Sequence, residues 1–239
     1  MFINYAHRGA SEYAPENTLA AFYLGLEMEA NGIETDVQYS KDGALVLFHD
    51  DTLKRITGED IAIKDLTLAQ LRTRDFGSFK GVKYKNERIV TLEDFLRYFS
   101  GKPLTFAIEI KAAGVEKETV KRVYEYSAQN QSVITSFMLD SIKLIRSIDS
   151  NLRLSYLARD FTRESVNEIK TLGIGEYCPP ADQITKEMVD YAKNLGLGVR
   201  AWGVSDVGLM NACLDAGVDG MTINFPDKLR EALISRGML

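Results

Sequence analysis

Two cysteines, Cys178 and Cys213, are all that this chain of 239 residues carries. They are too few and too far apart for a disulfide framework or a thiolate zinc site. No apolar run approaches the length of a membrane span, Ala44 to Phe48 being among the longest, so no stable membrane association is expected. The N-terminus, Met-Phe-Ile-Asn-Tyr-Ala-His-Arg, lacks a basic segment followed by an apolar one, which argues against an export signal and for a cytoplasmic protein. An excess of positive charge is also missing. Lys and Arg number 29 against 34 Asp and Glu, for a net charge of -5, and the basic residues are scattered, which excludes nucleic acid as the main partner. Histidine occurs only twice, as His7 and His49.

What is present is ordinary for a soluble globular protein: 45% hydrophobic and 26% charged residues, enough for a well-packed core. Residues 2 to 6 read as a strand ending at His7-Arg8-Gly9. Pro15-Glu16-Asn17-Thr18 opens a helix with Asn17 or Thr18 as its cap, and Leu19, Phe22, Tyr23, Leu26 and Ala30 mark its buried face. A second strand spans 33 to 37. Residues from about 51 to 90 lose periodicity and read as a small insertion. Thr67 to Arg74 suggests a short helix within it, and Gly77 to Asn86 is polar and glycine-containing. After a helix at 91 to 99, strands at 104–110, 132–136, 152–157, 174–178, 197–202 and 218–223 alternate with helices without a break. Eight such units in a chain near 250 residues predict an α/β fold, a single closed (β/α)8 TIM barrel over 1–239 with the insertion after strand 2, near the active-site mouth. A doubly wound open sheet is the runner-up, but no Gly-x-Gly-x-x-Gly follows the first strand.

In such a barrel the active site lies at the C-terminal ends of the strands. His7 and Arg8 end the first strand. Glu34 and Asp36 lie two apart on the second and so point the same way; buried together they repel each other unless something cationic sits between them. Its loop brings His49, the third strand contributes Glu109 and Lys111, and Trp202 ends the seventh. Three acids against two bases leave one net negative charge, which a divalent cation would turn into one positive charge. Hard oxygen donors without Cys favour Mg²⁺ or Ca²⁺ over zinc or copper. That balance suits a small-molecule phosphodiester, with one histidine taking a proton from the nucleophile and the other giving one to the leaving alkoxide. Each element also has a plainer reading. Glu34 and Asp36 serve equally as a surface-facing pair, Glu109 and Lys111 as a structural ion pair, Trp202 as core packing, either histidine as a loop residue, and Pro15 to Thr18 as capping and loop geometry. Only the combination lifts the metal site above these.

The combination resembles the glycerophosphodiester phosphodiesterase family. The resemblance rests on His7-Arg8-Gly9, Pro15-Glu16-Asn17-Thr18, Glu34-Thr35-Asp36-Val37, Lys41-Asp42-Gly43, His49-Asp50 and Glu109-Ile110-Lys111. It continues through Ala201-Trp202 and Gly217-Val218-Asp219-Gly220 to Asn224-Phe225-Pro226-Asp227. It implies a (β/α)8 barrel, one divalent cation, and hydrolysis of glycerophosphodiesters to sn-glycerol 3-phosphate and an alcohol. It further implies Glu34, Asp36 and Glu109 as metal ligands, His7 and His49 as the acid-base pair, and Arg8 and Lys111 as phosphate contacts, with Trp202 at the substrate. Val90 stands where the family usually has proline, and Gly203 where threonine is usual. Two other readings are a lysophospholipase D, for which Phe76, Phe79 and Tyr84 are the candidate apolar rim, and a barrel that binds a phosphorylated ligand without turnover. No motif specifies an oligomeric state.

Overall fold

Along a strand of a closed sheet, alternate side chains face either the barrel interior or the surrounding helices, and this chain fills the two sides differently. The computed structural model describes the whole chain, residues 1–239. In chain order it comprises β1 (Ile3–His7), α1 (Leu19–Glu27), β2 (Gly32–Tyr39), β3 (Leu45–Leu47), α2 (Lys54–Thr57), α3 (Leu68–Leu71), α4 (Leu92–Phe99) and β4 (Thr105–Ile110). There follow α5 (Glu116–Glu125), β5 (Ser132–Ser136), α6 (Leu139–Ile148), β6 (Arg153–Leu157), α7 (Arg163–Thr171) and β7 (Glu176–Cys178). The chain ends with α8 (Lys186–Asn194), β8 (Gly198–Val204), α9 (Val207–Ala216), β9 (Gly220–Ile223) and α10 (Pro226–Ser235). The sheet order is β1-β9-β8-β7-β6-β5-β4-β2-β3, and β1 also pairs with β2, which closes the ring. Only β3 is antiparallel, a short strand laid against the end of β2 after the Lys41-Asp42-Gly43 turn, where the sequence reading had only a loop. The other eight strands form a (β/α)8 TIM barrel.

Outward-facing residues such as Ile33, Val37, Phe106, Ile108, Ile134, Val199 and Met221 pack against the helices in one continuous apolar cluster of 47 residues. Burying a side chain of this size contributes about 1.5–3 kcal/mol, so this layer is the main source of stability. Inward-facing residues are different. Tyr5, Ala107 and Val133 make a small apolar group. Much of the remaining interior is polar, and fully buried Arg200 lies over the Tyr5 ring and binds Glu176, Thr222 and Ser155.

Residues 46 to 89 hold a second apolar cluster of nine, including Leu53, Ile56, Leu71 and Phe76, around the edge-to-face pair Phe48 and Phe76. Thr67 and Gln70 cap α3 reciprocally, and Gly58 ends α2 in the left-handed conformation. Val90 is buried, and its carbonyl accepts from the Leu47 N–H. The bond uses an acceptor that proline also has, so losing proline here costs no ladder contact. Both cysteines are free and buried. No helix is long and apolar enough to cross a membrane.

Candidate active site

Parallel register brings the acids together. His7 is opposite Glu34 across β1 and β2, and Asp36 is opposite Glu109 across β2 and β4. All three carboxylates face inward at one end of the barrel, where they are buried and offer ligand oxygens within 4.8 Å of one another. Burial, then the neighbouring Asp36 and Glu109, pushes the Glu34 carboxyl well above its ordinary range. Burial and Asp36 raise Glu109 to about 7, with Lys111 opposing. Asp36 goes the other way: burial would raise it, but Arg8, His49 and Lys111 hold it down. Three buried carboxylates, two of them reluctant to ionise, outnumber by one the two cations, Arg8 and Lys111, that lie beside them. One oxygen, Asp36 Oδ1, is buried without a hydrogen-bond partner. An all-oxygen donor set with such an orphan fits a hard divalent cation, so the triad could hold a metal ion.

The cations beside the triad are placed by backbone as much as by charge. Lys111 Nζ lies 3.0 Å from Glu109 Oε1 and 4.0 Å from Asp36 Oδ1. Arg8 Nε lies 3.2 Å from Asp36 Oδ2 and its Nη1 is 2.9 Å from Glu16 Oε1. Arg8 itself has φ +57, a left-handed backbone that non-glycine residues rarely adopt. The strain is held by its own N–H, which donates to the Glu34 carbonyl at 2.9 Å and to Glu34 Oε2 at 3.1 Å. Its carbonyl in turn accepts from the N–H of Asn17, which is left-handed as well.

Both imidazoles are held by Nδ1. His7 Nδ1 donates to Asn224 Oδ1 at 2.6 Å, an oxygen that also accepts from Ser11. His49 Nδ1 donates to Asp50 Oδ1 at 2.7 Å. Each arrangement leaves Nε2 unprotonated or ready to exchange a proton, and His7 Nε2 is 3.8 Å from Glu34 Oε2. The supports are unequal, because a carboxylate stabilises an imidazolium and an amide oxygen does so less. Burial and the Arg8 guanidinium together hold His7 below the ordinary imidazole value.

These groups open on one cavity of about 400 Å³. His7, Arg8, Glu34, His49, Glu109 and Lys111 line one part of it; Thr135, Phe137, Leu157, Arg159, Arg200, Trp202, Gly203 and Thr222 line the rest. Asp36 sits behind, fully buried. Trp202 is half-buried, its indole N–H donating to the Ala158 carbonyl at 3.0 Å and its ring edge-to-face with Phe137 at 5.0 Å. Gly203 follows at a bulge in the β8–β9 pairing with φ +72, a conformation that threonine would adopt only with strain.

His7, Arg8, Glu34, Asp36, His49, Glu109, Lys111 and Trp202 all lie at or behind this cavity, whereas Phe76, Phe79 and Tyr84 do not line it. Others were passed over. Thr18 does cap α1, accepting from the Ala21 N–H, but Glu16 and Asn17 are not merely capping geometry. Asn17 turns inward, donating to Asp36 Oδ2 at 2.9 Å and accepting from Thr35 at 2.7 Å, while Glu16 holds Arg8. Arg200 was legible by strand alternation, two residues before Trp202 on the same face. Asn224 carries no signal for its bond to His7, which depends on how distant loops meet, whereas Asp50 is the immediate neighbour of the histidine it holds.

The glycerophosphoryl diester phosphodiesterase family model matches residues 7–228. A glycerophosphodiester phosphodiesterase of Caldanaerobacter subterraneus subsp. tengcongensis is 33% identical over 229 residues, covering 94% of each chain. One from Bacillus subtilis is 31% identical over 245 residues, covering 93% of this chain and 83% of that one. The solved structure of an Oleispira antarctica phosphodiesterase in complex with its product sn-glycerol-3-phosphate superposes with a TM-score of 0.88 at 28% identity, covering 96% of each chain. A match over nearly the whole barrel, acidic cluster included, means that this chain belongs to the glycerophosphoryl diester phosphodiesterase family.

Proposed function

We propose that this chain hydrolyses glycerophosphodiesters to sn-glycerol 3-phosphate and an alcohol, acting as one barrel domain with the insertion at 51–90 beside the mouth. The observation that carries the reading is the buried acidic triad with an orphaned oxygen, next to two imidazoles each fixed by Nδ1. Family membership and the product held by the Oleispira relative support it. Glu34, Asp36 and Glu109 would hold Mg²⁺ or Ca²⁺, which when bound supplies positive charge to the phosphoryl oxygens. Arg8 and Lys111 face the same oxygens and orient the diester, while Trp202 walls the substrate. His7, held below the ordinary imidazole value, is neutral at neutral pH and suited to accept the nucleophile's proton. His49, backed by the Asp50 carboxylate, is suited to protonate the leaving alkoxide.

The test is release of glycerol 3-phosphate from a panel of head-group diesters with Mg²⁺ or Ca²⁺. His7→Ala and His49→Ala should each lose about 10²–10⁴-fold in kcat. Near-wild-type turnover in both would overturn the mechanism. A lysophospholipase D would need an apolar rim, and the insertion offers little of one. Phe76 is buried against Phe48, and the Tyr84 hydroxyl donates to the Tyr13 carbonyl at 2.9 Å. That leaves Phe79 and Val82 as the insertion's exposed large apolar side chains, and neither lines the cavity. Glycerophosphocholine should therefore be cleaved faster than lysophosphatidylcholine. A non-catalytic barrel would bind the diester with the cation and form no product.

A further inference from the structure

The bonds that hold Arg8 and His49 lead outward to the same side chain. Glu16 Oε1, which accepts from Arg8 Nη1 at 2.9 Å, also accepts from Arg55 Nη2 at 2.9 Å. Asp50 Oδ1, which accepts from His49 Nδ1 at 2.7 Å, also accepts from Arg55 Nη2 at 3.0 Å. Two further bonds complete a fork: Arg55 Nη1 to Glu16 Oε2 at 2.6 Å and Arg55 Nε to Asp50 Oδ2 at 2.7 Å. One nitrogen of an insertion residue thus lies between the two oxygens that fix a proposed phosphate contact and a proposed proton carrier. Charges alternate without a gap from Asp36 through Arg8, Glu16 and Arg55 to Asp50, which holds the His49 ring.

A four-bond fork of this kind can add to stability, but stability alone does not require that its two carboxylates be the ones that hold Arg8 and His49. The geometry is more demanding than charge alone requires, since a planar guanidinium can bridge two carboxylates with four directed bonds and an ammonium cannot. Without the guanidinium, Glu16 and Asp50 are left as like charges on either side of an empty space. Each would swing toward solvent and release the group it holds.

Resting on the hydrolase reading, we propose that Arg55 is a positioning residue: through Glu16 and Asp50 it fixes Arg8 and the His49 ring together, so the insertion supports the reacting geometry. Arg55 touches neither the triad nor the cavity, and its effect passes entirely through the two carboxylates.

The experiment compares wild type, Arg55→Ala, Arg55→Lys and a neighbouring control, Lys54→Ala, on glycerophosphocholine with saturating Mg²⁺. Lys54 is on the same short helix and pairs with exposed Asp60, away from the network. Arg55→Ala should lose about 10–100-fold in kcat, the usual cost of removing a support for a reacting group, with its Tm close to wild type. Guanidinium added below denaturing concentration should restore part of that rate. Arg55→Lys should recover only a fraction, and Lys54→Ala should match wild type. Combining Arg55→Ala with Asp50→Asn should cost no more than the larger single loss, as expected for residues acting in one chain. Wild-type kcat in Arg55→Ala overturns the proposal, and so does a loss that follows the fraction unfolded and ignores guanidinium. Imidazole ¹⁵N NMR at a pH high enough to leave both rings neutral gives a readout independent of turnover: His49 should then be the Nδ1–H form in wild type and a tautomer mixture in Arg55→Ala. An inactive wild type would overturn the hydrolase reading, whereas an unchanged His49 tautomer in Arg55→Ala would overturn the positioning role whatever the activity.

Discussion

His7 and His49 are similar residues in dissimilar company, and that difference can be measured. An amide oxygen accepts from His7 Nδ1, a carboxylate from His49 Nδ1. If His49 gives its proton to the leaving alkoxide, His49→Ala should matter less for an alcohol that departs without protonation. We expect the loss in kcat to shrink about tenfold or more on a p-nitrophenyl phosphodiester relative to glycerophosphocholine, while His7→Ala stays impaired on both. Equal losses on the two substrates would reverse or remove the assignment. At this scale the sequence was informative because the residues are rare. With only two histidines and a Glu-x-Asp on one strand, the imidazoles and acids at the barrel end are legible from residue type and spacing, whereas Arg159 and Glu16 are not. Asn224 escaped because its bond to His7 spans 217 residues of sequence.

Two elements carry the site, the β1–α1 loop and the insertion, and each has a weak point. Gly9 follows Arg8 with φ +81, and a Cβ added there would lie 2.4 Å from the Ala21 backbone carbon. Gly9→Ala should therefore cost about 3 kcal/mol or more, and it should lower kcat by shifting Arg8. Denaturant unfolding and a kinetic assay of the folded fraction check this together. In the insertion, Leu71 is fully buried in the nine-residue cluster beneath α2. Leu71→Ala should destabilise by about 2–4 kcal/mol. A separate early transition that removes activity before the barrel melts would show that the insertion unfolds on its own. The weak periodicity of residues 51 to 90 concealed this cluster. Its elements are only four residues long, too short for a helical or strand repeat to register.

For the whole molecule, the acidic triad ties stability to cation and pH. A cation that binds only the folded barrel stabilises it by mass action, so chelation should lower Tm by about 5–10 °C from a near-saturated state. The sign of the accompanying pH effect follows from Glu109. Its folded value is raised to about 7 from an ordinary 4.5. Between those values Glu109, with Glu34 acting the same way, keeps protons on the metal-free folded chain that the unfolded chain has lost, so stability falls as pH rises. His7, held below its ordinary 6.5, opposes this at lower pH, and the fall is therefore clearest between about 6.5 and 7. Differential scanning calorimetry with and without Mg²⁺ should find this slope in chelator and a flatter profile with the cation.

From the residues alone came the strand and helix order, the side of each strand that faces inward, and the acids and bases expected at one end of a barrel. Alternation and spacing are local properties, fixed by backbone geometry within a few residues, so they can be read along a chain. Closure of the sheet decided the rest. Only the register of β2 against β4 placed three carboxylates within reach of one ion, and only that of β1 against β2 set His7 beside Glu34. Only the fold of the insertion carried Arg55 to Glu16, 39 positions earlier. Distances across a barrel depend on how every strand pairs and every loop returns, and no local pattern encodes them.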